Sequence, residues 1–559
     1  MPADTTRTYG THVVALLLTS AAAAAGYLSG SLAAAAIVLV LTAAGCGWSG
    51  GLRTGSTAAA VATLLLPLLF ENAREPLAII VFGIAAFIGA STGSASRRHS
   101  IYTPPLEWLA AAAGLPLLVA IVYLNLSDVV ARRTPIPSLL QPLILVLLIA
   151  VLVYRRKFQP RSIAATPVAL FSIVYCIVLF ARSAWVSDIA AADERIVETV
   201  RGIVLLLIAG ALGVSWTVMR RSLAAFALGG ALVASLTLIQ AVTGRFDIDF
   251  GGLARSEIGT IYASVADVRA GGPVGDPNFY GQILVMAFPI AAFLGWSELR
   301  TGRRILYLGA AAIIAAGAVL TYSRGALLAL ALVALLTVVL LRIRIFHVAV
   351  VALLVALLAP TNLTRRVLTL GPSDAIEGVH RDSSLDRRLL DAATAATMFG
   401  DRPLIGMGTG SFSHFYGTYA DRVGSPAPQY DALEAKQVPH SLYLEIAAEN
   451  GLLGLVSFGA LIVAAFLMLK RARYELMMLG RPDLALLAAG LALALIGYLA
   501  SSLFLHGAFQ RYLWILLGLN LLSACGAEKS GDVLEGLTEA NVALDLRIDG
   551  YEADLVPVA

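Results

Sequence analysis

Long apolar stretches, each followed by a short polar break, recur along the chain from Thr11 to Cys525. Each stretch has close to the roughly 20 residues that an α-helix needs to cross the hydrocarbon core of a bilayer. The apolar runs are continuous and do not alternate with polar residues, which excludes a transmembrane β-barrel. The pattern predicts an all-α, polytopic integral membrane protein with about sixteen transmembrane helices.

The positions of basic residues between these helices predict their orientation. The helices are predicted to centre on residues 12–28, 31–47, 56–72, 76–93, 106–125, 138–154, 164–182, 200–217, 222–242, 279–297, 303–320, 322–341, 345–360, 445–470, 483–505 and 509–525. Alternate breaks are rich in Arg and Lys, as at Arg97, Arg220 and Arg300, whereas the opposite breaks are poorer, with Arg132 and Arg133 the exception. By the positive-inside rule the basic breaks are cytoplasmic, and so are both termini.

This topology divides the chain into regions. They are N-terminal transmembrane helices (1–199), a transmembrane core (200–360), a large loop on the periplasmic or extracellular face (361–439), C-terminal transmembrane helices (440–525) and a cytoplasmic tail that is expected to be disordered (526–559). Segments 183–201 and 243–278 are also expected on the outer face. A loop of about 80 residues among short connections is expected to carry function.

The large loop is predicted to be partly helical. Leu385, Leu389, Ala393, Ala396 and Phe399 recur at helical spacing, with charged residues on the other faces. This spacing is typical of an amphipathic helix that lies on a membrane surface.

The amino-acid composition excludes several classes of function. The chain of 559 residues is 58% hydrophobic and 14% charged, with a mean hydropathy of +0.82, so the bilayer is the solvent for most of it. The net charge of +4 forms no basic stripe with interleaved aromatic residues, so nucleic acid is not an expected partner. The three cysteines are far apart and provide neither a disulfide framework nor a CxxC metal site.

Candidate chemistry gathers at the outer ends of the predicted helices. Charges are scarce in the helix middles, where an ion or proton pathway would need them. Arg269 precedes the helix predicted near Phe279, Arg324 starts another helix, and His440 lies where the long loop returns to the membrane. The predicted topology places all three at one depth. An arginine at such a position can equally be an interfacial anchor, and a histidine after proline can be a helix cap.

Several motifs resemble the O-antigen ligase and polymerase superfamily, whose members transfer polyprenyl-diphosphate-linked glycans. In chain order they are DPNFYGQIL, the helix start SRGALLAL, the loop motif RPLIGMGTGSF, the re-entry HSLYLEIAAENGLLGL and the last helix RYLWILLGL. The resemblance covers about residues 200–525, and the first helices exceed the family's usual number.

The resemblance implies roles for particular residues. Arg269 and Arg324 would hold the donor diphosphate, because a guanidinium stays charged and presents a planar fork to phosphate oxygens. His440 would be the catalytic base, and the start of the following helix is expected to lower its pKa. Arg388 and Arg402 are further candidates for phosphate, or else stabilise the loop or meet lipid headgroups.

Glu445 is a candidate to orient the imidazole or to bind acceptor sugar, with solvation at the interface as the alternative. No metal ligand and no cofactor are predicted.

The expected function is therefore an inverting, metal-independent glycosyltransferase in the bacterial inner membrane. Its expected partners are the lipid-linked glycan donor, membrane lipid and an acceptor that is a glycan, a lipid or a protein, which leaves ligase, polymerase and protein oligosaccharyltransferase open. The oligomeric state is also open. The main alternative is a transporter or flippase, which should show repeat symmetry and polar residues at the membrane midplane. A metal-dependent glycosyltransferase and a non-catalytic scaffold are the other rivals.

Overall fold

A computed structural model describes residues 110–132, 138–154, 164–183, 189–213, 215–261, 265–343, 383–423, 437–507 and 510–521. The helices are α1 (Leu115–Tyr123, after a π-helical turn Ala110–Gly114), α2 (Leu126–Ala131), α3 (Leu140–Val153), α4 (Pro167–Ser183), α5 (Ile189–Leu212), α6 (Trp216–Thr243), α7 (Pro277–Ser297), α8 (Thr301–Val319), α9 (Arg324–Leu341), α10 (Ser383–Asp401), α11 (Phe412–Arg422), α12 (Leu442–Met478), α13 (Pro482–Ser501) and α14 (511–521). Two strands, β1 (Arg255–Ile261) and β2 (Val265–Gly272), form an antiparallel hairpin.

Six of these helices are long and apolar enough to cross a membrane. They are α6, α7, α8, α9, α12 and α13, and they confirm the prediction of a helical polytopic membrane protein. The predicted helices at 12–28, 31–47, 56–72, 76–93 and 345–360, and the tail 526–559, lie outside the described residues.

Helix α7 is the centre of the bundle. It packs against α6, α8, α9 and α13, and nearly every one of its side chains is buried. Small residues bring the helices close together, as small-residue contacts do in membrane bundles. A Cβ on Gly281 would lie 2.5 Å from the Cβ of Ala326, so this position keeps α9 close to the start of α7.

The two ends of α7 are chemically different. At its C-terminal end Arg220 donates to Glu298 at 3.2 Å and to Asp483 at 2.9 Å, which links α6, α7 and α13. At its N-terminal end Asp276 caps the helix by accepting from the backbone N–H groups of Asn278 and Phe279. We call this N-terminal end the site end, because Arg269, Arg324 and His440 lie around it.

Several predictions about the elements were wrong in detail. The helix predicted at 200–217 begins at Ile189, because the Ala, Glu and Arg residues of segment 183–201 favour helix, although the charged residues lower its hydropathy. The helix predicted at 106–125 ends at Tyr123, near its predicted end, but the short helix α2 after Asn125, whose φ of 52° is left-handed, was not predicted. The all-α prediction also omitted the β1–β2 hairpin, whose β-branched residues favour strands.

The large loop contains the predicted helix, but a different face packs against the protein. Helix α10 lies on α12 and buries Asp391, Thr394, Ala395 and Met398. Leu389, assigned to the apolar face, is 60% exposed. Helix α11 was not predicted. Ala395 and Met398 join Met407, Phe412, Tyr416, Tyr419, Ala420 and Ala448 in a small core of their own.

Candidate functional site

His440 occupies a strained turn directly before α12. It precedes the N-cap residue Ser441, and its backbone has a φ of 47°, in the left-handed region that non-glycine residues rarely adopt. Such a conformation costs on the order of 1–3 kcal/mol and persists only where the surroundings impose it. The backbone N–H of Leu442 donates to the carbonyl of Ser502 at 3.0 Å, which fixes the turn to the end of α13.

The surroundings of His440 come from distant parts of the sequence. Its ring centroid lies 6.1 Å from that of His506, and His506 in turn meets Phe279 edge-on at 5.1 Å. Phe279 belongs to the first turn of α7, and the carboxylate of Asp276 is near enough to interact electrostatically with the imidazole. The turn before α12 therefore lies against the N-terminal end of α7.

Burial and positive neighbours determine the charge state of His440. Desolvation of its partly buried side chain and then the charge of Arg388 lower its pKa from 6.5 to about 4. His506 and Arg387 act in the same direction, and Asp276 opposes them. The expected direction of the shift is confirmed, although burial and Arg388 are the largest causes, not the helix terminus. At neutral pH the imidazole is uncharged and can accept a proton.

Arg269 connects three elements at the site end. It lies on β2, donates from Nε to the carbonyl oxygen of Thr321 at 3.3 Å and from Nη2 to Oδ1 of Asn278 at 3.2 Å. Thr321 precedes α9 and Asn278 belongs to the first turn of α7. The hairpin that the sequence did not predict is thus the element that brings Arg269 to the start of both helices.

Arg324 is the first residue of α9. Ser323 caps the helix by accepting from the N–H of Ala326, and Tyr322 before it has a left-handed φ of 50°. The ring of Phe504 packs against Gly325, where an added Cβ would lie 2.8 Å from it. The segment that carries Phe504 and His506 therefore runs from the start of α9 to His440, and the structure brings all three residues of the predicted site to one end of the bundle.

Arg388 and Arg402 are separated by most of the length of α10. Arg388 is partly buried and close enough to His440 to affect its pKa. Arg402 follows the last residue of α10 and is exposed. At 1.5 Å per residue it lies about 20 Å further along the helix axis. Its neighbour Asp401 accepts from Tyr419 and Arg422. The structure thus groups Arg388 with His440 and places Arg402 elsewhere.

Glu445 is buried and its two carboxylate oxygens are engaged. Oε1 accepts from Arg195 of α5, and Oε2 accepts from the backbone N–H of Gly507 at 2.7 Å. A cavity of about 20 Å³, room for about one water molecule, adjoins this ion pair. Glu445 fastens the His506 segment to α12, and its predicted contact with the imidazole or with sugar stays a prediction.

The loop motif and the motif after His440 fit each other through backbone hydrogen bonds. Helix α12 is broken at Gly451, with φ 63° and ψ −156°. The carbonyls of Ala448 and Glu449 then accept from the N–H groups of Met407 and Gly408, both at 2.8 Å. A Cβ on Gly406 would lie 2.4 Å from the backbone of Glu449. The glycines of RPLIGMGTGSF therefore serve close packing of the loop on α12.

Asp391 is the residue of this region that the sequence did not single out. It is 1% exposed and accepts from the hydroxyl of Tyr416 at 2.8 Å through Oδ1. Its Oδ2 lies 3.8 Å from Nε2 of His440. The one available signal was a single carboxylate within the otherwise uncharged run LLDAATAATMF. Among the described residues, no group of three or more His, Cys, Asp and Glu side chains could hold a metal ion.

Comparison with known families matches residues 309–459 to a family model described as O-antigen ligase. The match contains Arg324, Arg388, Arg402, His440 and Glu445, and it ends within α12; Arg269 precedes it. No curated protein matches the chain. The match confirms the resemblance that the motifs indicated.

Proposed function

Because residues 309–459 match a family model described as O-antigen ligase, we propose that this chain belongs to that family and transfers a polyprenyl-diphosphate-linked glycan to an acceptor hydroxyl. The family and the apolar helices support a membrane protein of polysaccharide biosynthesis. We place the reaction at the outer face of a bacterial inner membrane, the face to which the positive-inside rule assigns the site end.

The observation that carries this proposal is the convergence of a neutral imidazole and two guanidinium groups. His440 reaches the first turn of α7 through His506 and Phe279, and Arg269 reaches the same turn through Asn278. Thr321, which Arg269 contacts, lies three residues before Arg324. A base and two diphosphate ligands are what a metal-independent glycosyl transfer requires.

In the proposed reaction the acceptor oxygen attacks the anomeric carbon while His440 takes the hydroxyl proton. The bond from that carbon to the diphosphate oxygen breaks, and the electron pair leaves with the diphosphate. Arg269 and Arg324 would stabilise this developing charge, where fixed donors lower the barrier most. A single displacement inverts the configuration at the anomeric carbon.

The roles of the other predicted residues follow from their positions. Arg388 is the candidate for a further phosphate contact because it lies beside His440. Arg402, about 20 Å away along α10, would meet lipid headgroups or a distant part of a long glycan. The acceptor class remains the choice between a lipid core, a second repeat unit and a protein hydroxyl.

Deletion of the gene, followed by complementation, tests the proposal and identifies the acceptor class. Surface polysaccharide on a gel should lose its attachment while polymer persists if the protein is a ligase, and should shrink to single repeat units if it is a polymerase. The wild-type gene should restore the pattern and His440→Ala should not. An unchanged polysaccharide profile, or equal rescue by His440→Ala, would contradict the proposal.

A further inference from the structure

Asp391 presents one satisfied and one unsatisfied oxygen beside His440. Oδ1 accepts from Tyr416, whereas Oδ2 is buried without a hydrogen-bond partner among the described residues. A buried acceptor left without a donor costs on the order of 1–3 kcal/mol, so such an atom points to a missing partner. Nε2 of His440 lies 3.8 Å from this oxygen.

The position of Asp391 is fixed from several sides. Tyr416 holds the carboxylate from α11, and Arg387 on α10 donates to the side chain of Gln437 at 2.9 Å. The N–H of Gln437 donates to Ser413 at 3.2 Å. The segment that leads into His440 is therefore anchored to both helices of the loop. A movement of about 1 Å would convert the 3.8 Å contact into a hydrogen bond, and catalytic hydrogen bonds are often long until substrate binds.

We propose that Asp391 is a positioning residue that accepts Nε2–H of His440 and so leaves Nδ1 as the atom that takes the acceptor proton. This inference rests on the proposed function, in which His440 is the base. A neutral imidazole has one N–H and one lone pair, and the partner of one nitrogen decides which nitrogen stays available. A carboxylate only accepts hydrogen bonds, so it selects the tautomer with the proton on Nε2.

Each proton in the proposed transfer step then has a donor and an acceptor. The acceptor hydroxyl gives its proton to Nδ1 as its oxygen bonds to the anomeric carbon, and the resulting imidazolium keeps Nε2–H directed at the carboxylate of Asp391. Burial raises the pKa of Asp391 above its ordinary value, and the hydrogen bond from Tyr416 and the charges of Arg387 and Arg388 oppose this shift by favouring the ionised carboxylate. Among the other charged neighbours of the imidazole, Asp276 favours the imidazolium, whereas Arg388, Arg387 and His506 disfavour it. A carboxylate at Nε2 would therefore stabilise the imidazolium together with Asp276.

Asp391→Asn tests the inference because it changes the chemistry at one atom and keeps the size of the side chain. The amide oxygen can still accept from Tyr416, but the amide nitrogen would face Nε2 as a donor and force the proton onto Nδ1. We expect kcat to fall by about 10²-fold or more, as expected for loss of a general base or of its correct tautomer. Donor affinity should stay within about twofold, because the arginines hold the diphosphate.

The chain offers a matched control on the same helix. Asp401 accepts from Tyr419 at 2.7 Å, which repeats the Asp391–Tyr416 pair about 15 Å further along α10. Asp401→Asn should leave kcat within about twofold of wild type. Tyr416→Phe, compared with Tyr419→Phe, removes the fixed hydroxyl and should lower kcat several-fold without reaching the effect of Asp391→Asn.

Nitrogen NMR of ¹⁵N-labelled histidine provides a readout that a merely structural role would not change. The His440 signal, assigned by its loss in His440→Gln, should show the Nε2–H tautomer in wild type and the Nδ1–H tautomer in Asp391→Asn. Equal losses in Asp391→Asn and Asp401→Asn, more than about a tenth of wild-type kcat in Asp391→Asn, or an unchanged tautomer would overturn the inference. If His440→Ala is inactive while Asp391→Asn is fully active, only this inference fails and the proposed function stands.

Discussion

The Nε atom of Arg269 donates to the carbonyl oxygen of Thr321 at 3.3 Å, three residues before Arg324. A second bond, from Nη2 to Asn278, orients the plane of the guanidinium relative to α7. The two predicted diphosphate ligands are therefore linked through the backbone, and the geometry of one depends on the position of the other.

Replacing either arginine by lysine should separate charge from geometry. Arg269→Lys and Arg324→Lys keep the positive charge but lose the planar fork, so we expect kcat to fall roughly 10²-fold with normal membrane levels. Transfer by purified protein measures the loss. Arg342→Lys, at the other end of α9 and exposed, is the control and should be neutral. Wild-type turnover by Arg324→Lys would leave that residue as an interfacial anchor.

The pH dependence of turnover should reflect the lowered pKa of His440. The base acts only when neutral, so activity falls as the pH drops through the folded pKa, and burial and Arg388 place that pKa at about 4. We expect the acidic midpoint of kcat to lie well below 6.5, the ordinary value. A midpoint at or above 6.5 in the wild-type protein would show that another group, or a protonated His440, controls the rate.

Arg388→Gln tests the electrostatic cause of that shift. Arg388 disfavours the imidazolium, so its removal should raise the pKa of His440 and move the acidic midpoint to higher pH. Arg387, His506 and Asp276 remain in this variant, and burial is unchanged, so the midpoint should stay below 6.5. Arg402→Gln, a second arginine of the loop far from His440, should not move the midpoint.

Most of the helix bundle could be predicted because its helices are long and apolar and begin at recognisable N-cap motifs. The Asp-Pro pair and the Ser-Arg pair are the N-cap and first residue of α7 and α9, and the predicted starts lie within about two residues of them. The first turns of α5 and the hairpin were missed because their segments are charged or rich in glycine. A hydropathy profile detects segments that face lipid, whereas these elements are stabilised by packing against the rest of the protein.

The residues of the candidate site were likewise predicted only in part. Arg269, Arg324 and His440 stood out because they lie next to motifs, but Asp391 and His506 did not. Their positions depend on which face of α10 packs against α12 and on how the segment after α13 folds back towards α7. The amphipathic pattern placed Leu389 on the face towards the membrane and the charged residues on the other faces, but it could not show that one of these, Asp391, is buried against the protein with one oxygen held by Tyr416.

The proposed topology can be tested with single cysteines at described, exposed positions. Cys46, Cys176 and Cys525 are first replaced. Thr418→Cys, on α11 at the site end, should react with a membrane-impermeant maleimide in cells whose outer barrier is permeabilised. Thr301→Cys, at the opposite end of the bundle, should react only after lysis. The reverse pattern would invert the proposed orientation.

Metal independence predicts the response to chelation. If guanidinium groups stabilise the leaving diphosphate, purified protein with a polyprenyl-diphosphate donor and its acceptor should stay active in excess EDTA. A block by EDTA that magnesium or manganese reverses would favour the metal-dependent rival. An unrelated magnesium-dependent glycosyltransferase in the same detergent provides the positive control for chelation.

The buried ion pair between Arg195 and Glu445 should contribute to stability far more than a surface pair on the same helix. The side chains of Arg195 and Glu445 are 13% and 6% exposed, whereas those of Arg471 and Glu475, which pair at 2.6 Å one turn apart on α12, are 73% and 29% exposed. Glu445→Gln leaves a buried guanidinium without its counter-charge and should lower the free energy of unfolding by up to about 3–5 kcal/mol. Glu475→Gln should cost about 0–0.5 kcal/mol.

A double-mutant cycle with Arg195→Gln separates this role from the predicted role in binding sugar. If Glu445 acts through Arg195 and the Gly507 N–H, the double variant should recover part of the stability that Glu445→Gln loses, because the guanidinium that has lost its nearest carboxylate is also removed. The KM for the acceptor should then stay close to the wild-type value, because a loss of stability changes the amount of folded enzyme and not its affinity for substrate. If Glu445 instead binds acceptor sugar, Glu445→Gln should raise that KM with little loss of stability, and Arg195→Gln should not reproduce the effect. The two results cannot both occur, because one carboxylate that is held by Arg195 and Gly507 must release them before it can reach a sugar.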